Sequence, residues 1–348
     1  MFAERLICSW IGAFGLAAGA FCQTYVQFSI DAGPIPGSIN QKGEIAGTYV
    51  DFANGFHGFV RDPGGKITAF DAPGSFSSTR AISINAGGAI TGTFIDTTPP
   101  VVRTRAYVRD PEGNFTTFDP PGSVSTVPQS INARGAISGY YNESNQRLFG
   151  FVLQPNGKIT SIDPPGSIST QAFGINAKGA ITGYYSDGHG THGFLREPTG
   201  TIISFDVPEG TGTFPASIND AGAITGSYIN PGPFPGSVPR TFGFVRDPDG
   251  NFTSFDPGPR DTIPQIINNE GAIAGFLEDL ALDIFHGFVR SPEGTSTVFD
   301  PPFCFPGSTI TGSILDKGSG SMNDKGVIVG ACSLLTPPFP TVGWVRFP

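Results

Sequence analysis

Charge is scarce in this chain. Asp, Glu, Lys and Arg make up only 14% of it, and 20 cations face 29 acids, for a formal net charge of −9. No cluster of Lys and Arg occurs anywhere. An acidic protein without a basic patch repels phosphate backbones and anionic headgroups, which excludes nucleic acid and anionic membrane surfaces as partners. Beyond the N-terminus no apolar run is long enough to cross a bilayer, so no membrane insertion is expected. A sustained helical period is also missing outside that first run. No Gly-x-Ser-x-Gly elbow, His-Glu-x-x-His pair, phosphate loop or dinucleotide fingerprint stands in a supporting context, and no Cys–His arrangement is convincing. No catalytic residue, metal or cofactor is therefore assigned.

Glycine (49), proline (32) and phenylalanine (31) are plentiful instead. They recur at fixed places, which makes them turn punctuation and packing positions of a many-stranded protein. Three clusters repeat. Ser-Ile-Asn, a short turn and Gly-Ala-Ile-Thr-Gly-x-Tyr place an Asn at Asn40, Asn85, Asn132, Asn176, Asn219, Asn268 and Asn323. His-Gly-Phe-Val-Arg places an aromatic at Phe59, Tyr107, Phe151, Phe194, Phe244, Phe288 and Trp344. Phe-Thr-Ser-Phe-Asp ends at Asp71, Asp119, Asp163, Asp206, Asp256 and Asp300.

Each unit reads as four strands, here A to D. Strand A ends at the Asn, B and C carry the next two clusters, and D ends at the Asp. Hairpins such as Asp247-Pro-Asp-Gly250 join C to D, with Pro presetting the first turn position and Gly taking a positive φ. Four antiparallel strands in roughly 40–50 residues is the signature of a propeller blade. The chain stops after a seventh strand C, Val342 to Arg346. The missing D appears at the other end as Tyr25-Val-Gln-Phe-Ser-Ile-Asp31. Closing the ring with that strand removes the unpaired edges that an open array would leave. The expected fold is all-β: a seven-bladed β-propeller with four antiparallel strands per blade, the N-terminal strand completing the last blade.

These units resemble the bacterial extracellular repeats called HAF repeats. His57-Gly-Phe59, His192-Gly-Phe194 and His286-Gly-Phe288 match that pattern together with the Asn turns. Arg105, Phe149, Phe242 and Val342 depart from it. The resemblance spans about residues 24–348 and implies fold and export, not chemistry.

Residues 1–20 read as a signal peptide: one Arg, an apolar run from Leu6 to Ala17, then small residues at Ala18-Gly-Ala20. Residues 21–348 then form one propeller domain, extracellular or periplasmic, and expected to be a monomer. Cys304 and Cys332 share the final repeat, and export favours oxidation, so either a disulfide or two buried thiols is expected there. Cys22 is left over, to be free, paired or lipidated.

Positions repeated in every unit serve the architecture, so function is sought where units differ. The seven Asp of strand D, counting Asp31, read as turn caps, and the repeated Asn as turn residues tolerating unusual φ. Asn114, Asn142 and Asn251, which precede x-Ser/Thr, read as turn residues too. His189-Gly-Thr-His192 is the only close His pair, but His192 belongs to the repeat. Among the paired tyrosines Tyr140-Tyr141 and Tyr184-Tyr185, one of each pair points away from its neighbour, and a Tyr at the channel mouth is suited to stacking on a sugar. The B–C loops vary most and share one face with the D–A links. They nominate Asp51, Asp96, Asn142, Glu143, Asp187, His189, Glu278 and Asp279 as a binding face for a glycan, peptide or protein. A polysaccharide hydrolase or lyase using loop carboxylates, or a structural envelope protein, are the alternatives.

Overall fold

A computed structural model describes every residue except 1–4, 9–21, 32, 54, 76–77, 99–101, 209, 233, 235–236, 259–260, 280–283, 305–321 and 334–340. All its regular elements are strands, and among the described residues no helix is long and apolar enough to cross a membrane. Gly33–Ile39, Ile45–Val50, Phe56–Arg61 and Ile67–Phe70 form the first antiparallel sheet, paired in sequence order. The same meander starts again at Arg80–Ile84, Ser125–Ile131, Ser169–Ile175, Thr213–Ile218 and Asp261–Ile267. A single parallel bridge, Ser125 to Thr104, joins the second and third units into one hydrogen-bonded sheet.

The last sheet is built from both ends of the chain. Ile328–Ser333 pairs with Thr341–Arg346, and that strand pairs with Cys22–Phe28, matching Tyr25 to Arg346 and Phe28 to Gly343. The N-terminal strand thus lies against the closing strand, three residues earlier than the expected start at Tyr25. Strand A of this unit is described only at Met322, which bridges Ile328; residues 305–321 lie outside the described residues. Arg5–Cys8, within the stretch read as a signal peptide, pairs along the outer edge of Cys22–Phe28. In the other units strand D is the outermost strand.

Alternation explains why these segments are strands. The repeated aromatic of strand C is fully buried in all seven copies, Phe59, Tyr107, Phe151, Phe194, Phe244, Phe288 and Trp344. It shares a hydrophobic cluster with the Ile of strand B, as at Ile45, Ile137 and Ile224, also buried. Burying such a pair contributes several kcal/mol per unit at about 25 cal/mol/Å². Strand C glycines let the strand D ring lie flat on the sheet: a Cβ on Gly243 would come within 2.5 Å of the Phe255 ring. Neighbouring sheets are joined by stacks of an Arg ending strand C over the strand D Phe of the preceding unit. Arg109 lies 4.7 Å from the Phe70 ring, Arg246 5.0 Å from Phe205 and Arg290 5.0 Å from Phe255. Arg61 over Phe28 carries the same contact across the two chain ends, at 5.2 Å. Cys304 and Cys332 are joined by a disulfide with Cα atoms 5.7 Å apart.

Strand A is the innermost strand, and its register shifts at one place in six units, as at Pro36/Ser38, Pro128/Ser130 and Pro264/Ile266. Proline is tolerated there because a bulge on an edge strand needs no ladder donor. The repeated Asn just beyond does not adopt an unusual φ, as its sequence suggested; positive φ falls on the glycine three residues on, such as Gly43 and Gly179. The Asn side chain does two other things. In Asn176 the Oδ1 accepts the N–H groups of Lys178 and Ala180, holding its own turn. Its Nδ2 donates to the backbone carbonyl of Asn219 at 3.0 Å. Each copy reaches the next: Asn40 to Asn85, Asn85 to Asn132, Asn132 to Asn176, Asn219 to Asn268 and Asn268 to Asn323. Asn323 Nδ2 then donates to Asn40 O at 3.1 Å, across 283 residues of sequence.

Asn176→Ala removes one buried and two partly buried hydrogen bonds of about 1 kcal/mol each. Urea unfolding of the variant should show a loss of about 3 kcal/mol. A loss under about 1 kcal/mol would mean that the carboxamide relay does not stabilise the fold.

Candidate functional site in the channel

The loop carboxylates nominated by sequence are mostly committed to their own units. Asp51 accepts the N–H groups of Ala53 and Gly55 and sits 3.2 Å from His57 Nε2. The other side of that imidazole, Nδ1, is 2.9 Å from Asp71. In the second unit Arg105 takes the place of His57, bonding Asp119 at 2.8 Å and Asp96 at 3.3 Å. His192 lies 2.9 Å from Asp206 and 3.4 Å from Asp187, whose Oδ1 also holds the N–H groups of His189 and Gly190. His286 meets Asp300 at 2.7 Å. Where the strand C position holds Phe149 or Phe242, an Arg two residues earlier supplies the cation: Arg147 to Asp163 at 2.9 Å and Arg240 to Asp256 at 3.0 Å. Each Arg also stacks over that Phe, at 4.5 and 5.1 Å.

This corrects the sequence reading of the strand D aspartates. Turn capping occurs at Asp256, which accepts Gly258 N–H at 3.3 Å, but six of the seven chiefly bind the cation at the start of strand C. The turn caps belong to Asp62, Asp110 and Asp247, each accepting the N–H four residues on. Asn114 and Asn251 serve those turns by donating Nδ2 to Asp110 and Asp247. Strand D thereby gains an ionic clamp to the loop face that sequence reasoning did not see.

Of the remaining nominees, Asn142 ends strand B with Oδ1 buried and lacking a hydrogen-bond partner. Glu143 accepts Gln146 N–H through its backbone carbonyl. The side chain of Asp279 lies outside the described residues. Glu278 lines a cavity.

That cavity, about 220 Å³, sits among inner strands of the fourth, fifth and sixth units. Its wall is aromatic and apolar: Phe173, Tyr184, Phe214, Ile263, Pro264 and Phe276. Ser227, Gln265 and Glu278 supply polar groups. The Tyr184 ring stacks on Phe173 with centroids 5.3 Å apart and meets Phe214 edge-on at 5.3 Å. Tyr140 extends the wall, 6.4 Å from Phe173. Burial raises the Tyr184 phenol above its ordinary pKa, with a hydrogen bond to Gln171 acting the other way.

The cavity exists because strand B has two parities. One faces the core and is buried in every unit: Tyr49, Phe94, Tyr141, Tyr185 and Tyr228 are aromatic, and Leu277 and Cys332 take the place in the last two. The other varies, through Thr48, Thr93, Tyr140, Tyr184, Ser227 and Phe276. The residue beyond the strand A bulge varies likewise, with Phe173 in one unit and Gln129, Ala216 or Gln265 in others. Sequence reasoning looked for variation in the loops and missed it here, except at Tyr140 and Tyr184. A second space of about 260 Å³ at the opposite mouth is lined by the Asn turns of all the units and belongs to the repeat architecture.

No protein-family model and no curated protein matches the sequence. Solved structures do match in shape. A catalytically inactive virginiamycin B lyase from Staphylococcus aureus, determined with quinupristin, superposes with a TM-score of 0.60 at 13% identity, covering 94% of this chain and 100% of that one. A streptogramin B lyase superposes with 0.58 at 14% identity, covering 94% and 98%. The β-propeller domain of the Trilobed protease from Pyrococcus furiosus superposes with 0.58 at 9% identity, covering 91% and 94%. At such identities the likeness assigns the fold alone: the chain has a β-propeller fold.

The clamps set a pH window. For His57 burial disfavours the imidazolium, yet hydrogen bonds to Asp51 and Asp71 outweigh it and raise the pKa. For His192 the Asp206 hydrogen bond leads the same upward shift. A raised folded pKa stabilises fully below the unfolded value near 6.5 and is lost as pH rises through the folded one. Asp51 and Asp187 are lowered, chiefly by the N–H groups of Gly55 and His189, so their contribution is present above about 4 and lost as pH falls further. The melting temperature should therefore peak between about pH 4 and 6.5. His57→Gln with His192→Gln should flatten its decline toward pH 8; an unchanged decline would remove these histidines as its cause.

Proposed function

We propose that the chain is an exported seven-bladed β-propeller that binds a ligand by burying an apolar ring in the channel cavity. The observation that carries this reading is the concentration of aromatic residues at variable channel positions of three adjoining units, in strands whose other parity is buried in the core. Seven copies of the repeat, the strand shared by the two chain ends and the return of the Asn relay to Asn40 support the blade count and closure. The Cys304–Cys332 disulfide fits an oxidising compartment. Removal of residues 1–20 would take away Arg5–Cys8 and leave Cys22–Phe28 as an outer strand like those of the other units.

The lining favours a ring over a whole sugar. Phe, Pro, Ala and Ile dominate it, and a glycan would have to bury hydroxyl groups opposite few partners. The volume accommodates one ring with a short substituent, on a small molecule or on a peptide side chain. Burying one aromatic ring of about 150 Å² at about 25 cal/mol/Å² gives about 4 kcal/mol, from which the cost of immobilising the ligand is subtracted, so a single-ring fragment binds no tighter than about 1 mM before any polar contact is added. Acid catalysis by the loop carboxylates is disfavoured, because Asp51, Asp96 and Asp187 are all held below the ordinary carboxylate range, opposite to what a general acid needs.

A thermal-shift screen of single-ring aromatic and alicyclic compounds beside mono- and oligosaccharides tests the reading. Ring compounds at concentrations above Kd should raise the melting temperature, and Tyr184→Ala or Phe214→Ala should weaken their binding about tenfold or more. Hits unaffected by both substitutions, or hits confined to saccharides, would refute it.

A further inference from the structure

We infer that the mouth opposite the ring cavity binds a small di- or tricarboxylate on the backbone N–H groups of three adjoining turns. The space there, about 260 Å³, has the repeated Asn turns as its floor. Its rim is the residue after each Asn, and that residue varies: Gln41, Ala86, Ala133, Ala177, Asp220, Asn269 and Asp324. Over part of the rim these side chains build a second relay, each accepting an N–H of the preceding unit. Asp220 Oδ1 accepts Ala177 N–H at 2.7 Å, and Asn269 Oδ1 accepts Asp220 N–H at 2.9 Å. Asp324 Oδ1 accepts Asn269 N–H at 2.9 Å, and Gln41 Oε1 accepts Asp324 N–H at 3.1 Å. By the same order Gln41 N–H faces residue 86, Ala86 N–H residue 133 and Ala133 N–H residue 177. All three of those positions are alanine, whose methyl group accepts nothing. No acceptor among the described residues takes these three N–H groups, and Gln41, Ala86 and Ala133 are exposed.

The filled positions define the ligand. Two of the four acceptors are carboxylates, so this place on the turn receives a carboxylate oxygen in the molecule itself. Each filled N–H takes its own side-chain oxygen, so three open ones in a row require several oxygens on one short chain. Charge points the same way. The next turn position sets exposed Lys42, Arg134 and Lys178 along the open arc, whereas the filled arc carries Asp220, Glu270 and Asp324 beside Lys325. In the four turns of the open arc the only acid is Glu44, which accepts Asn40 Nδ2 at 2.7 Å. A polycarboxylate thus meets backbone donors and cations together, and hydrogen bonds to a charged acceptor are the strong ones. A space below the range of drug-sized sites suits a compact acid. This site is separate from the ring cavity and does not rest on it.

The experiment titrates the isotope-labelled full chain with tricarballylate and, separately, with acetate, following the backbone amides by NMR. The signals of Gln41, Ala86 and Ala133 should move together, while those of Asp220, Asn269 and Asp324 stay. Tricarballylate should bind about tenfold more tightly than acetate, since one further hydrogen bond to a charged group contributes that much. Ala133→Asp and Ala133→Asn supply the missing acceptor for Ala86 N–H, as Asp220 and Asn269 do in their own units. Both should weaken tricarballylate binding about tenfold, the neutral Asn separating occupation of the donor from charge repulsion. Amides that do not move, movement spread equally over all seven turns, or tricarballylate no tighter than acetate overturns the inference. So does binding undiminished in both variants, or a loss confined to Ala133→Asp, which repulsion explains. The titration of the native chain decides the matter if the variants fail to fold.

Discussion

One carboxamide per repeat holds this molecule together at its centre. Each Asn Nδ2 donates to the backbone carbonyl of the next Asn, and the last donates to the first, Asn323 to Asn40. The same side chain fixes its own turn through Oδ1, so the local hairpin and the neighbour contact cannot be built separately. Buried donors of this kind are costly to leave unmatched. Each unit is therefore incomplete until its neighbour is in place, and the first is incomplete until the last arrives.

Farther from the axis the neighbours meet through Arg–Phe stacks, and within six of the sheets strand D is held at the loop face by a His or Arg clamp. The clamps show how the repeat drifts without losing its physics. His57, Arg105 and His192 occupy one position, whereas Arg147 and Arg240 reach the same aspartate from two residues away over a Phe. What persists is a cation against the strand D carboxylate, rather than a residue type at a position. This frame fixes the strand ends rigidly enough for the channel-facing positions to vary, and the aromatic wall of Phe173, Tyr184 and Phe214 occupies that latitude.

The repeat frame was readable because its signals are local. Buried Phe59 and Phe244, the Pro-x-Gly hairpins and the Ile of strand B lie at fixed offsets within one unit. The N-terminal strand against Thr341–Arg346 was also foreseeable, from a strand missing at one end and present at the other. The His57–Asp71 clamp was not: the two residues are fourteen apart, on adjacent strands, and an Asp before a Pro or Gly turn has a local explanation ready. Of the seven nominated loop residues whose side chains are described, only Glu278 reaches the cavity. Loops vary because they are solvated, whereas the channel positions vary inside strands whose other parity stays buried in the core, and that alternation is quiet in a linear reading.

The sequence by itself determined the all-β class, the strand boundaries to within a few residues and the place of the N-terminal strand, because periodicity, turn chemistry and repeat spacing are properties of neighbouring residues. Only the tertiary structure decided which carboxylates serve as clamps and which one faces a cavity. It also brought Phe173, Phe214 and Phe276, from three repeats about a hundred residues end to end, onto one wall. Curving the sheets about an axis turns a sequence interval of a whole repeat into van der Waals contact, a relation that spacing along the chain does not encode.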